Sequence, residues 1–233
     1  MRMRAFAKKI PGARRLYRFL RGGPQLKPQG TAGIRKLGHR EYVGGSWELM
    51  QDLQFNFLIS AGLKPHHHLW DIACGSLRAG VPFIRYLEPG HYHGIDRHRD
   101  LIDMGIKYEL SRADYEQKQP EFIVSDAFEF DQFRAAPDYA LAQSLFTHLP
   151  PPLILLCLDN LRKRVKLHTV FFASFLVTSE RRDNPAKPHD HAGFYYTTEQ
   201  MKAFGAETRW LAYYIGDWNH PLQHQVMMKF TPA

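Results

Sequence analysis

Residues 69–96 constrain the fold more than any other part of the chain. An apolar run, Leu69-Trp70-Asp71-Ile72-Ala73, breaks at a small-residue turn, Cys74-Gly75-Ser76, and a helix-like segment follows from Leu77 to Leu87. A short second strand, Tyr92-His93-Gly94-Ile95, then ends on an acid, Asp96. Strand, tight turn, helix and strand with a terminal carboxylate outline a βαβ unit of the nucleoside-binding kind.

With 233 residues, the chain can bury one large core. Its 44% hydrophobic and 23% charged residues are ordinary globular values. No apolar run is long enough to span a bilayer, and the N-terminus lacks the continuous apolar block of a secretory signal. The two cysteines, Cys74 and Cys157, make neither a metal pair nor a disulfide framework, so free thiols in a reducing cytoplasm are expected. The net charge of +8 is unevenly placed. Residues 1–30 hold nine Lys or Arg and no acid, leaving 22 basic against 23 acidic residues in the rest. The basic character belongs to the tail, so it does not argue that the main domain binds nucleic acid.

Within that tail Met3, Phe6, Ile10, Ala13, Tyr17 and Leu20 form an apolar helical stripe, interrupted by Pro11-Gly12 and surrounded by arginines and lysines. A basic amphipathic segment suits peripheral contact with an anionic membrane through residues 1–21, at the inner membrane surface, or docking to a partner. A solvated tail packed on its own domain is the plainer alternative, and a mitochondrial presequence has similar chemistry. Gly22-Gly23-Pro24 through Gly30 reads as a linker, giving a tail and linker over 1–30 and one domain over 31–233.

The domain alternates strands with helices. Ser46 is expected to cap a helix running to about Ala61. Strands are expected at His68–Ala73, Tyr92–Ile95, Glu121–Val124, Tyr139–Ala142 and Thr169–Val177. Helices are expected over Asp100–Arg112, Pro152–Val165 and Glu199–Phe204, and two last strands over Arg209–Ile215 and Gln225–Phe230. The pattern predicts an α/β fold: a doubly wound, Rossmann-like, seven-stranded and mostly parallel sheet, with helices on both faces and an antiparallel last strand.

Ligands of such sheets bind at the carboxyl ends of the strands. Polar residues gather at four of those ends: Asp71 to Ser76, Asp96, Asp126, and Gln143 to His148. A dinucleotide fingerprint would place glycine where Ala73, Gly75 and Arg78 stand, so only one is kept, which counts against NAD. Asp96, 25 residues past Asp71, suits a carboxylate accepting from both ribose hydroxyls, and Asp126 can accept from an adenine amino group.

These segments, with Val124-Ser125-Asp126-Ala127 and Asp138-Tyr139-Ala140-Leu141-Ala142-Gln143-Ser144-Leu145-Phe146-Thr147-His148-Leu149-Pro150, resemble a class I S-adenosylmethionine-dependent methyltransferase over roughly residues 40–233. The resemblance implies S-adenosyl-L-methionine as cofactor. Asp71 and the backbone of Ala73, Cys74, Gly75 and Ser76 would hold its amino-acid end, Asp96 its ribose, and Asp126 with the Ala127 amide its adenine. Gln143 and Ser144 would flank the sulfonium. Members of the family usually carry glycine where Ala73 and Leu77 stand. The phrase Cys74-Gly75-Ser76-Leu77-Arg78-Ala79-Gly80, with Val43-Gly44-Gly45-Ser46-Trp47 upstream, is similar to a bacterial subgroup often seen beside glycan-modifying enzymes.

The expected acceptor is a hydroxyl of a small molecule, or of a glycan or lipid-linked sugar. A hydroxyl acceptor benefits from a base, for which histidine is suited. The candidates are His148 after the fourth strand, His191 in the polar loop Arg181 to Ala192, and His220 in the turn between the last strands. His-Asp-His at 189–191 is too compressed for a metal set, so no metal is expected. His66-His67-His68 is expected to face solvent. Two alternatives stay open. Nucleic-acid methylation is suggested by the tail, although Gln143-Ser144-Leu145-Phe146 lacks the Asn/Asp-Pro-Pro-aromatic pattern of base amino-group enzymes. A non-catalytic cofactor-binding module is the other.

Overall fold

A computed structural model describes residues 28–222 and 224–233. The basic segment over residues 1–21 lies outside the described residues. Eight α-helices and eight strands are seen among those described. They are α1 (Gly30–Leu37), α2 (His39–Tyr42), α3 (Trp47–Ser60), β1 (Leu69–Ile72), α4 (Gly80–Tyr86), β2 (Tyr92–Asp96), α5 (Arg99–Tyr108), α6 (Arg112–Lys118), β3 (Glu121–Val124), β4 (Tyr139–Ala142), α7 (Pro151–Arg162), β5 (Val170–Val177), β6 (Tyr195–Tyr196), α8 (Thr198–Glu207), β7 (Trp210–Gly216) and β8 (Gln225–Pro232).

The strand order is β3-β2-β1-β4-β5-β8-β7, with β6 beside β5. Pairs from β3 through β5 are parallel, and β8 runs antiparallel to both β5 and β7. The expected seven strands are therefore present, and the two-residue β6 is an eighth. Successive strand residues point to opposite faces, and both faces are apolar. Trp70, Phe171 and Phe230 pack under α7 and α8 with Ile154, Cys157 and Met201. Leu69, Leu141 and Phe172 pack on the other face with Leu58, Ile84 and Ile102 of α3, α4 and α5. That two-sided burial is what holds a parallel sheet. Cys74 and Cys157 are free and buried, and burial raises both thiols above their ordinary range, which suits packing and not nucleophilic attack.

Several boundaries differ from expectation for local reasons. Ser46 adopts a left-handed conformation and its side chain caps nothing. Thr197 does cap α8, in a reciprocal box with Gln200. The helix expected over 100–112 ends at Tyr108, and a separate α6 follows, capped by Ser111. The end of the expected linker is not loose. The Pro28 carbonyl lies 3.3 Å from His191 Nε2, Gln29 accepts from the Asp190 amide, and Gly30 already begins α1. The domain thus starts slightly before residue 31. His66 is exposed as expected, but His68 is half-buried, because the parallel starts of β1 and β2 lie side by side. Its Nδ1 is 3.0 Å from His93 Nε2, and its ring stacks on His91. Among the described residues, no helix is long and apolar enough to cross a membrane.

Candidate active site

The carboxyl ends of β1 to β4 open into one cleft of roughly 960 Å³, where the strand order reverses between β1 and β4. Small-ligand sites span about 300–1,000 Å³, so this one has room for a nucleoside-sized ligand and a second molecule.

Leaving β1, the chain folds back sharply. The amides of Ala73 and Cys74 both donate to the Ile95 carbonyl, at 2.8 and 3.1 Å. Ala73, Gly75 and Leu77 all lie in the left-handed region, with φ of 64°, 55° and 65°. Ala73 and Leu77 are the two positions at which the resembled family usually has glycine, so the conformation glycine favours is kept with a Cβ in place. That costs an L-residue about 1–2 kcal/mol. Leu77 is fully buried, which offsets the cost, whereas alanine has little to bury. Ala73→Gly is expected to raise stability by up to about 1 kcal/mol, or ~2–4 °C in the thermal midpoint. An unchanged or lower midpoint would show that the turn holds no such strain. Helix α5 closes on the turn through Gly105, where a Cβ would stand 2.7 Å from the Ser76 backbone.

Asp96, at the tip of β2, clamps this turn. Its Oδ2 accepts from the Gly75 amide at 2.9 Å and its Oδ1 from the His98 amide at 2.8 Å. A carboxylate has about four acceptor sites, so each oxygen can accept again. Asp71 is almost wholly buried and accepts from the Tyr92 hydroxyl at 2.7 Å. Burial raises its pKa to about 6 in spite of that bond, and raises Asp96 as well. Asp126 lines the cleft beyond β3. Ala127 does not: its amide donates to Ser125 Oγ at 3.1 Å and its carbonyl accepts from Asn160. The Ala127 amide, expected to meet a ligand, has this internal partner. The Asx-like turn after β3 uses that amide internally, and Ser125 takes the place on the cleft wall.

Gln143 and Ser144 follow β4 and are held by a polar network. Gln225 of β8 donates to Ser144 Oγ at 2.6 Å and Ser174 Oγ at 2.9 Å. Gln143 Nε2 donates to the same Ser144 hydroxyl. Arg78 was not foreseen as a site residue. Its guanidinium donates to the carbonyls of Val43 and Gly45 at 3.1 and 2.8 Å and to Gln143 Oε1 at 3.3 Å. Burial lowers its pKa to about 10, with Asp71 acting the other way. The cleft floor thus carries a buried carboxyl and a buried guanidinium near each other. Cys74, Gly75 and Ser76 also line the cleft, and Ser76 Oγ is buried without a hydrogen-bond partner.

The three candidate histidines all line the cleft but present different atoms. His148 Nδ1 lies 2.9 Å from the Ala192 carbonyl. A carbonyl only accepts, so this nitrogen carries the proton and Nε2 keeps its lone pair. His220 is the reverse: its Nδ1 accepts from the Leu222 amide at 3.0 Å, so neutral His220 presents an Nε2–H donor. His191 Nε2 faces the Pro28 carbonyl and its ring meets Tyr42 edge-on. His189 Nδ1 accepts from the amides of His191 and Ala192, which leaves a donor at Nε2. Burial lowers the pKa of both His148 and His220.

Asp190 ties the site together. It accepts from the Tyr42 hydroxyl, the Gly30 amide and Arg97, and its Oδ1 lies 3.3 Å from His98 Nε2. Burial alone would raise this carboxyl; those bonds and the Arg97 charge outweigh it and hold Asp190 well below the usual carboxylate range. The N-terminal helices, the loop after β2 and the 181–193 loop therefore meet at one anion. Tyr42 and Asp190 lie 148 positions apart in the chain, so no local pattern announces the pairing.

No family model matches the sequence. Solved structures of the same shape are similar in fold at low identity. A magnesium protoporphyrin IX methyltransferase from Synechocystis, solved with S-adenosylmethionine bound, aligns with a TM-score of 0.58 and 13% identity, over 99% of this chain and 94% of its own. A TehB-like S-adenosylmethionine-dependent methyltransferase from Corynebacterium glutamicum aligns at 0.58 and 14%, over 86% and 96%. The CcbJ methyltransferase of Streptomyces caelestis aligns at 0.59 and 12%, over 78% and 90%. The chain has the Rossmann-like fold of S-adenosylmethionine-dependent methyltransferases.

Proposed function

We propose that this chain transfers a methyl group from S-adenosylmethionine to a hydroxyl oxygen of a small molecule. One observation carries the reading: three carboxyls, Asp71, Asp96 and Asp126, stand at consecutive strand ends around a cleft that also holds a histidine with an available lone pair. The residues fit the cofactor. A zwitterionic amino acid matches the buried Asp71 carboxyl and the Arg78 guanidinium, and the partnerless Ser76 hydroxyl belongs to the same cleft. Asp96 has acceptor sites left for two ribose hydroxyls. Asp126 and Ser125 lie where an adenine edge would end. Bound there, the cofactor supplies an electrophilic methyl group on a sulfonium.

The chain's own part is to bind, orient and take a proton. Holding donor and acceptor in a near-attack geometry can supply about 7–11 kcal/mol of the barrier. His148 accepts the acceptor's proton at Nε2, and the Ala192 carbonyl holds the ring in that tautomer.

Calorimetric titration of S-adenosylhomocysteine tests the reading and carries a pH signature. Asp71 must be ionised to meet the ligand's ammonium, and burial puts its free-protein pKa at about 6. Affinity is expected to rise between pH 5 and 7 and then level off, with about half a proton released per ligand near pH 6 and close to one at pH 5. Asp71→Asn should remove the dependence. Undetectable binding at neutral pH would refute the proposal, and pH-independent binding would remove Asp71 from the ammonium site.

The basic residues 1–21 are proposed to add contact with an anionic membrane. Vesicles containing phosphatidylserine should retain the full chain and release a chain lacking 1–21. Equal retention of both would reject the contact.

A further inference from the structure

We propose that the acceptor is a phenol on an apolar body, not a sugar. This rests on the methyl-transfer reading above and concerns the half of the cleft that the cofactor would leave open.

The two halves of the cleft differ in chemistry. Over the ends of β1, β2 and β3 lie the three carboxyls. Over β4, β5 and the loops at 188–193 and 220–222 the wall is built from Leu145, Leu149, Leu153, Leu176 and Leu222. Leu222 is 60% exposed at the mouth. Several polar groups of this half are already engaged. Asp190 Oδ2 accepts from Tyr42 and the Gly30 amide, and Oδ1 from Arg97. The Gln225 amide nitrogen is shared by two serine hydroxyls, and the Thr147 hydroxyl donates to the Ser144 carbonyl. The imidazoles add one lone pair on His148 and N–H donors on His189 and His220. A sugar ring would bury several hydroxyls against leucine without partners, and each would carry a desolvation cost. A compound with an apolar body, one hydroxyl and one or two further oxygens would meet these three ring nitrogens.

The base points the same way. Burial leaves His148 less basic than an ordinary imidazole, at about 6.5. A phenolic hydroxyl, at about 10, is within reach of such a base. An alcohol hydroxyl, close to water at about 15.7, leans far more heavily on the base. In the step, the phenol oxygen forms a bond to the methyl carbon. The carbon–sulfur bond breaks, its electron pair staying on sulfur, and the phenolic proton passes to His148 Nε2.

The test uses the full chain and two probes, 1-naphthol and methyl β-D-glucopyranoside. S-adenosylhomocysteine is titrated first. Protein loaded with it should bind 1-naphthol, and Leu222→Asp should weaken that binding about fivefold or more while the affinity for S-adenosylhomocysteine stays at the wild-type value. Tritium from the labelled methyl donor should pass to 1-naphthol and not to the glucoside. If S-adenosylhomocysteine binds but 1-naphthol does not, the phenolic assignment is overturned and the methyl-transfer reading survives. The same holds if 1-naphthol binds without transfer, if binding ignores Leu222→Asp, or if the glucoside takes the label. If S-adenosylhomocysteine itself fails to bind, the underlying reading fails, and the assignment falls with it.

Discussion

Asp96→Ala is expected to weaken S-adenosylhomocysteine binding by at least about tenfold, because hydrogen bonds to a charged group are worth about 1.5–3 kcal/mol each and the ribose would lose two. The carboxylate also accepts from the Gly75 and His98 amides, so its removal frees the turn that lines the amino-acid end of the site. Two effects on folding oppose each other. The two amides lose their acceptor, but a carboxyl that burial holds above its ordinary pKa is no longer buried. A near-wild-type melting curve with a weakened calorimetric affinity is therefore the expected pair of results. Asp96→Asn keeps the size and one acceptor oxygen, and should fall between. An Asp96→Ala protein that melts as wild type and binds as tightly as wild type would remove Asp96 from the site.

His148→Gln is expected to lower kcat by about 10²–10⁴ while leaving S-adenosylhomocysteine affinity within error, since a general base contributes by that factor and the ring lies outside the cofactor's polar contacts. The sign of the pH dependence follows from the ring's environment. The base works when neutral, and burial, helped by the neighbouring histidines and opposed by the Ala192 carbonyl, lowers its pKa. The rate should therefore climb as pH rises through a value below about 6.5 and be flat at neutral pH. His220→Gln should cost much less, because that ring presents a donor and glutamine can replace it. Loss of catalysis in His220→Gln with full activity in His148→Gln would reverse the assignment.

Much of the frame was legible in the sequence because its signals are local. The run at 69–73 is apolar, the turn residues after it are small, and the acid at 96 follows a strand of ordinary length. The same holds for the strand-end residues Asp126, Gln143 and Ser144, which all reach the cleft. Helix α6 was missed because none of its residues is buried, so it carries no apolar period. The α1–α2 segment carries Gly30, Gly33 and Gly38, which weaken any helical signal there. Arg78 was weighed as a failed glycine and not as a cation. The choice among the histidines was beyond any pattern, since it depends on whether a ring nitrogen meets a carbonyl, as in His148, or an amide, as in His220. The Tyr42–Asp190–Arg97 cluster joins three distant segments and exists only in the folded chain.

The central claim is that one adenosyl ligand lies across the ends of β1, β2 and β3 with its sugar held by Asp96. A crystal structure of the full chain with S-adenosylhomocysteine measures this directly. Both ribose hydroxyls are predicted within hydrogen-bond distance, about 2.5–3.0 Å, of the Asp96 carboxylate. A ligand bound elsewhere, or a ribose that leaves that carboxylate facing only the Gly75 and His98 amides, would contradict the account.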